Sequence, residues 1–305
     1  MERNEKMIGV IAGALAYVLW GILPMYWKLA TEVPAMEILA YRIIWSFVFM
    51  IFLIAVLRKT NAVLLEVKTI FKRPKTASLI TLAAILITVN WFIFIFTVNS
   101  GHVTEASLGY YINPLVNVLI ATVFLKERLS RGEMIAVLLA FIGVSILTYH
   151  QGTVPYAALA MAVTFSLYGL IKKFVPVSTW TGLTLETLII TPFALIYLLF
   201  FSKNFFMSYS LHVDFIMIGA GIVTAIPLLL FATAAKKISY TMVGFLQYIG
   251  PTLMLILGVL LYKESFDKVQ LTAFICIWAA ILVFTISHIY LNAKLKQLKS
   301  AAENE

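Results

Sequence analysis

The chain has 305 residues, 62% of them hydrophobic and 12% charged, with a mean hydropathy of +0.98 and a formal net charge of +9. Soluble domains carry roughly 45–50% apolar and about 25% charged residues, so this composition excludes a soluble globular protein and implies an integral membrane one. The apolar runs are near membrane length and do not alternate in period two, which predicts helices rather than a barrel.

The first residues, Met1 to Lys6, lead into an apolar run over 7–27. That run is too long for the core of a signal peptide and reads as a retained first span. Gly9 and Gly13 within it form a small-xxx-small pair suited to close helix packing. Nine further spans follow at 35–57, 76–98, 103–125, 131–149, 154–174, 180–201, 212–234, 239–262 and 268–290. At about 1.5 Å of rise per residue, each suffices for a hydrocarbon core of roughly 30 Å. The connections are short except at 58–75, where residues 63–72 predict an amphipathic helix on the membrane surface. Cys276 has no partner and reads as a packed thiol.

Charge sets the expected orientation. With a cytoplasmic N-terminus, eighteen lysines and arginines fall on inside segments, Lys172 and Lys173 among them. Only Lys28, Lys203, Lys263 and Lys268 fall outside. This bias predicts a plasma or inner membrane protein with both termini in the cytoplasm.

A repeat runs through the chain. Tyr110-Tyr111-Ile112-Asn113-Pro114, running apolar to Lys126-Glu127, is echoed 137 positions later by Gln247-Tyr248-Ile249-Gly250-Pro251 running to Lys263-Glu264. Each half holds five spans, an odd number, so the second enters the membrane inverted. The fold expected is all-α, with ten transmembrane helices as two inverted-topology repeats over residues 1–150 and 151–305.

The chain resembles the EamA branch of the drug/metabolite transporter superfamily, and within it the RarD proteins. The resemblance rests on Ala16-Tyr17-Val18-Leu19-Trp20-Gly21, Pro34-Ala35-Met36-Glu37, Ala40-Tyr41-Arg42, Asn90-Trp91, the run from Glu105 through Tyr110, Asn113 and Pro114 to Val118, and Gln247-Tyr248-Ile249-Gly250-Pro251. It implies ten helices in two repeats and secondary transport; the RarD name is associated with chloramphenicol sensitivity or resistance, and relatives export amino acids and other metabolites. It also implies that spans one, three, six and eight join spans four and nine around the substrate.

Arg42 is the most informative single residue. It lies about seven positions into span two, roughly 10 Å below the outer end, where a guanidinium faces the protein interior or a watery cavity. It suits a substrate carboxylate or another acceptor-rich group, the bland alternatives being a structural pair with Glu37 or a snorkelling side chain. Glu186, its rough mirror in span seven, and Glu37 are candidate proton carriers, or else helix-packing carboxylates. Asn90, Asn113, Asn117 and Gln247 offer donors and acceptors for a midplane site, or serve as interhelical glue. Trp20, Trp91, Tyr110 and Tyr248 are candidates for an aromatic cavity wall, whereas Trp27 reads as an interfacial belt residue. Pro114 and Pro251 each remove a backbone donor in mid-span and are candidate hinges. The Lys-Glu pairs read as helix-end signals.

Other function classes fare worse. The two aspartates, Asp214 and Asp267, lie away from mid-membrane, His102, His150, His212 and His288 fall near span ends, and neither a zinc-protease nor a phosphate-loop motif occurs. An intramembrane enzyme is the weakest reading, and no metal or other cofactor is expected. A passive channel, scramblase or uniporter stays open as the alternative to alternating access. The partners expected are membrane lipids, a small-molecule substrate, a coupling proton and a second copy of the chain as a homodimer, with no nucleic acid.

Overall fold

The computed structural model describes residues 2–99, 103–152, 155–202, 204, 208–261, 263 and 267–302, which form helices and short connections, with no strand among them. In chain order the helices are α1 (Glu2–Trp27), α2 (Ala35–Val56), α3 (Thr60–Phe71), α4 (Pro74–Asn99), α5 (Val103–Val123), α6 (Arg131–Gln151), α7 (Tyr156–Phe174), α8 (Thr179–Phe200), α9 (Leu211–Lys237), α10 (Tyr240–Gln247), α11 (Ile249–Ile256) and α12 (Lys268–Ala302). A π-helical turn, Leu257–Leu261, extends α11. Nine membrane-length apolar stretches result, one of them Tyr240–Leu261 across α10 and α11, and the apolar stretch Ser107–Val123 of α5 supplies the tenth. The protein is an all-α integral membrane protein. The surface helix expected at 63–72 is α3; its Leu64, Leu65 and Phe71 side chains are exposed.

Local chemistry sets the helix ends. Ser130 and Glu133 form a reciprocal capping box at the start of α6, and Gly152 ends that helix in the left-handed region at φ 74°. Ser178, Ser210 and Ser239 cap α8, α9 and α10 by accepting backbone N–H bonds. Lys126 and Lys263, the lysines of the two Lys-Glu echoes, share a left-handed backbone at φ 54° and 57°. The repeat therefore extends to backbone conformation at its loops. Glu127 reaches from the first of these loops to the start of α10, where it accepts bonds from the backbone N–H groups of Tyr240 and Thr241 at 2.7 and 3.0 Å. Its expected counterpart Glu264, like His102, lies outside the described residues.

The principal helix pairings join one half of the chain to the other. α6 lies along α12, α2 along α8, and α5 along α10. The pairing of α1 with α9 is matched by that of α7 with α4, α2 with α9 by α8 with α4, and α5 with α7 by α10 and α11 with α1. Exchanging spans one to five with six to ten maps these pairings onto one another. The halves interdigitate, and any site between them is built from both.

Candidate functional site

Arg42 lies on the face of α2 that meets α9. Gly221 lets these helices approach closely: a Cβ there would stand 2.3 Å from the backbone carbonyl of Trp45, and the Ser46 hydroxyl donates to the Gly221 carbonyl at 3.2 Å. One turn further along α9, Thr224 Oγ1 accepts a bond from Arg42 Nε at 3.1 Å. The guanidinium sits 4.5 Å from the ring centroid of Trp91 and 5.2 Å from that of Trp27. Such contacts stabilise a cation by about 0.5–2 kcal/mol each. Tyr110 of α5 is close enough to interact with Arg42 electrostatically. Trp27 thus joins the site rather than only an interfacial belt.

The pairing of Arg42 with Glu37 that the sequence offered does not form. Glu37 is buried and accepts instead from the Tyr209 hydroxyl at 2.6 Å. Among the described residues, no carboxylate forms an ion pair with Arg42.

The amides sit where the halves meet. Asn90 Nδ2 donates to the Met161 carbonyl at 2.7 Å and to Thr164 Oγ1 at 3.0 Å, joining α4 to α7. Asn113 Oδ1 accepts from the Ser166 hydroxyl at 2.8 Å, joining α5 to α7. Asn117 Nδ2 donates to Gln247 Oε1 at 2.9 Å, joining α5 to α10. The Asn117 Oδ1 atom is buried and has no hydrogen-bond partner among the described residues. These amides spend part of their capacity as interhelical ties, and each tie crosses between the halves.

The aromatic candidates separate. Trp20 packs with Tyr17, Phe165 and Phe231 at centroid distances of 5.5, 5.7 and 5.8 Å. Trp91 covers Arg42, and Tyr110 lies edge-on to Phe94. Tyr248 stands apart from this group, buried in a core it shares with Phe245, Ile277 and Phe284 against α5, α6 and α12. The prolines also differ. α5 continues as one helix through Pro114, whereas the second copy is interrupted at Tyr248, and Pro251 lies in the first turn of α11. Close to Pro114, a Cβ on Gly244 would stand 2.9 Å from its carbonyl oxygen, so only glycine lets α10 cross α5 at this level.

Glu186 is buried and paired. Its Oε1 lies 2.6 Å from Lys172 Nζ, and its Oε2 accepts from the Tyr168 hydroxyl at 3.2 Å. Lys172, assigned by the charge count to a loop, is itself only 5% exposed. It ends a turn of α7 that packs inward, so its charge belongs to the protein interior.

Around this pair, the α3 end of the bundle is tied together. Glu66 of α3 accepts from the Ser178 backbone at 3.1 Å, from the Ser178 hydroxyl at 2.7 Å and from the Thr181 hydroxyl. Burial alone would raise its carboxyl pKa, but the bonds from Thr181 and Ser178 outweigh it and hold the group below the usual range. Lys173 donates to the Ala235 and Ile238 carbonyls, and Lys236 to those of Val175 and Val177. Thr224 and the Lys172 partnership went unread in the sequence. For Lys172 a signal existed, since Glu186 needed a cation within reach.

Comparison with known proteins bears on what this arrangement serves. The model of the EamA-like transporter family matches residues 7–149 and again 154–286. An uncharacterized transporter of Bacillus subtilis (strain 168), YojE, is 46% identical over 299 residues, covering 95% of this chain and 97% of the relative. Protein RarD of Salmonella typhi is 41% identical over 297 residues, covering 96% and 100%. A protein of known crystal structure shares the fold at a TM-score of 0.71 and 20% identity, covering 91% of this chain and 97% of the other. The two matched segments, the ten spans and the near-complete coverage of transporter relatives agree: the chain belongs to the EamA-like transporter family.

Proposed function

We propose that the protein is a secondary transporter that exports a small amphipathic organic molecule by alternating access between two inverted halves, residues 1–150 and 151–305. The observation that carries this reading is Arg42, a charge at membrane depth that is held from both halves and has no counter-ion among the described residues. A packing residue would be neutralised internally, because an unpaired intramembrane charge is costly. The exchange symmetry of the helix pairings supports a two-fold relation between the halves, and an odd number of spans in each half inverts one against the other, which lets the halves trade shapes across the membrane plane. Amino-acid or chloramphenicol-type solutes are the substrates drawn from family resemblance.

The distribution of lysine and arginine favours an inner-membrane protein with both termini and α3 in the cytoplasm. The ties among α3, α7, α8 and α9 would then close the cytoplasmic end, and they must part for the site to open there. The Lys172–Glu186 pair stands at that end. We assign proton coupling to the pair rather than to Glu186 alone, since a proton on Glu186 would release Lys172. Glu37, bonded to Tyr209, is the second carboxylate candidate. Asn90 and Asn113 line the path between, with Pro114 and Pro251 as the proposed bends.

Solute counterflow in proteoliposomes tests the reading. Vesicles loaded with unlabelled amino acids, related metabolites or an amphenicol should take up the same labelled solute in a transient overshoot. Linear, unsaturable flux without overshoot would favour a channel. For the same solute, an imposed pH gradient should change uptake in the wild type and not in Glu186→Gln.

A further inference from the structure

We infer that the site takes an organic carboxylate, gripped end-on by Arg42 with the solute's apolar body against Trp27 and Trp91. This inference rests on the transport reading above and names its substrate class.

The geometry of the guanidinium carries it. Arg offers two hydrogen-bonding edges to a carboxylate, one formed by Nε with a terminal amino group and one formed by the two terminal amino groups. Thr224 occupies Nε. The terminal amino groups donate to no described residue, and the residue as a whole is only partly buried. The free edge is the end-on fork, whose two parallel N–H groups match the spacing of carboxylate oxygens.

Two tryptophan rings lie beside the same guanidinium, at 4.5 and 5.2 Å from ring centroid to Cζ. The rings take the place of water around it, so an anion at the free edge meets a partly desolvated cation. An electrostatic hydrogen bond there is stronger than in bulk water. The Tyr110 hydroxyl, near the same charge, can donate to a bound oxygen. An amine would be repelled by Arg42. A neutral amide or amphenicol can accept a bond from the fork but brings no charge to it. Of the other buried charged residues described, Lys172 is already matched by Glu186, and Glu37 and Asp214 carry the wrong sign, so an incoming anion finds its complement only at Arg42 among these groups.

The test uses the full-length protein in lipid nanodiscs at pH 7.5. Matched series of acid, primary amide and amine are compared, built on short branched aliphatic, phenyl and indolyl bodies. Binding is read by quenching of tryptophan fluorescence and by the shift in thermal midpoint. At least one acid should bind, at least tenfold more tightly than its own amide and amine. Arg42→Gln should weaken that acid by roughly 10–100-fold, the scale of a charged hydrogen-bonded contact, without changing the amide's affinity. Arg42→Lys, which keeps charge and loses the fork, should fall between. Gel filtration and the ligand-free thermal midpoint establish that each variant is folded.

Amide binding equal to that of the acid, undiminished acid binding in folded Arg42→Gln, or no acid binding in any series would overturn the inference. Counterflow with the same compounds separates it from the transport reading. Overshoot with a neutral solute alone retains the carrier and removes the anion. An acid that binds through Arg42 yet shows no counterflow retains the anion site and removes the carrier.

Discussion

Arg42 and Glu186 occupy the same place in the two halves, each the eighth residue of its helix, α2 and α8. Their surroundings differ in kind. Glu186 is satisfied internally, by Lys172 at 2.6 Å and Tyr168 at 3.2 Å. Arg42 has a hydroxyl on one edge and two tryptophan rings beside it, and no counter-ion among the described residues. Equivalent positions in the two halves thus differ, one an internal tie and the other a cation with no ion-pair partner among the described residues. A buried pair is a poor ligand site because a solute must displace a partner already in place. A cation without one gains most from an anion.

The largest expected effect breaks the satisfied side of this comparison. Lys172→Met leaves Glu186 buried without its cation and should lower stability by about 3–5 kcal/mol, seen as a large fall in thermal midpoint in detergent. The double variant Lys172→Met/Glu186→Leu should recover most of that loss. If the single variant is as stable as the wild type, the pair is not the tie described.

The unsatisfied side should respond in the opposite sense. Arg42→Gln forfeits one hydrogen bond and two aromatic contacts but also removes an uncompensated charge, so its stability should stay within about 1–2 kcal/mol of the wild type. Counterflow should nevertheless be lost. A collapse in stability with unchanged transport per folded molecule would reverse the roles of the two positions.

An intermediate effect is expected at Gly221→Ala. The new methyl would fall 2.3 Å from the Trp45 carbonyl and push α9 from α2. Overpacking of this kind costs about 1–3 kcal/mol, and it should also part Thr224 from Arg42, so transport should fall further than stability alone predicts.

The smallest effect concerns Glu66. Its carboxyl pKa lies lower in the folded protein than in the unfolded chain. Its contribution is therefore fully present above the unfolded value, about 4.3, and is lost as pH falls through the lower folded one. The stabilities of wild type and Glu66→Gln, about 1 kcal/mol apart at neutral pH and compared through their thermal midpoints, should converge as the medium is acidified. A gap that widens with acid would contradict the assignment.

Much of the architecture was legible in the sequence because membrane length and charge bias act on single segments. The ten spans and α3 emerged from apolar run length, and Arg42 stood out as a lone guanidinium in an apolar run. What the sequence could not convey was which side of each helix meets protein. A span is apolar all round, since lipid and core make the same demand. Tyr248 therefore looked like a cavity residue and proved to be core, while Trp27 looked like a belt residue and proved to cover Arg42. Thr224 carries no signal at all, being one hydroxyl among many in an apolar helix, visible only once Gly221 brings α9 against α2. Lys172 was misplaced because a lysine two residues from a helix end looks like a loop charge until the turn into α8 folds Glu186 over it. The echo in sequence was real at the loops, where Lys126 and Lys263 share a backbone state, yet the two prolines inhabit different helix geometry.

The central claim is that the two ends of one shared site open in turn. It is tested most directly by paired cysteine accessibility in a Cys276→Ser background, with Tyr110→Cys near Arg42 and Val177→Cys at the α3 end. Each is labelled with a membrane-impermeant maleimide, with and without a solute that shows counterflow. Alternating access predicts that the solute changes the two labelling rates in opposite directions, Tyr110→Cys from the outer face and Val177→Cys from the cytoplasmic face. Rates that rise or fall together, or that ignore a transported solute, would contradict it.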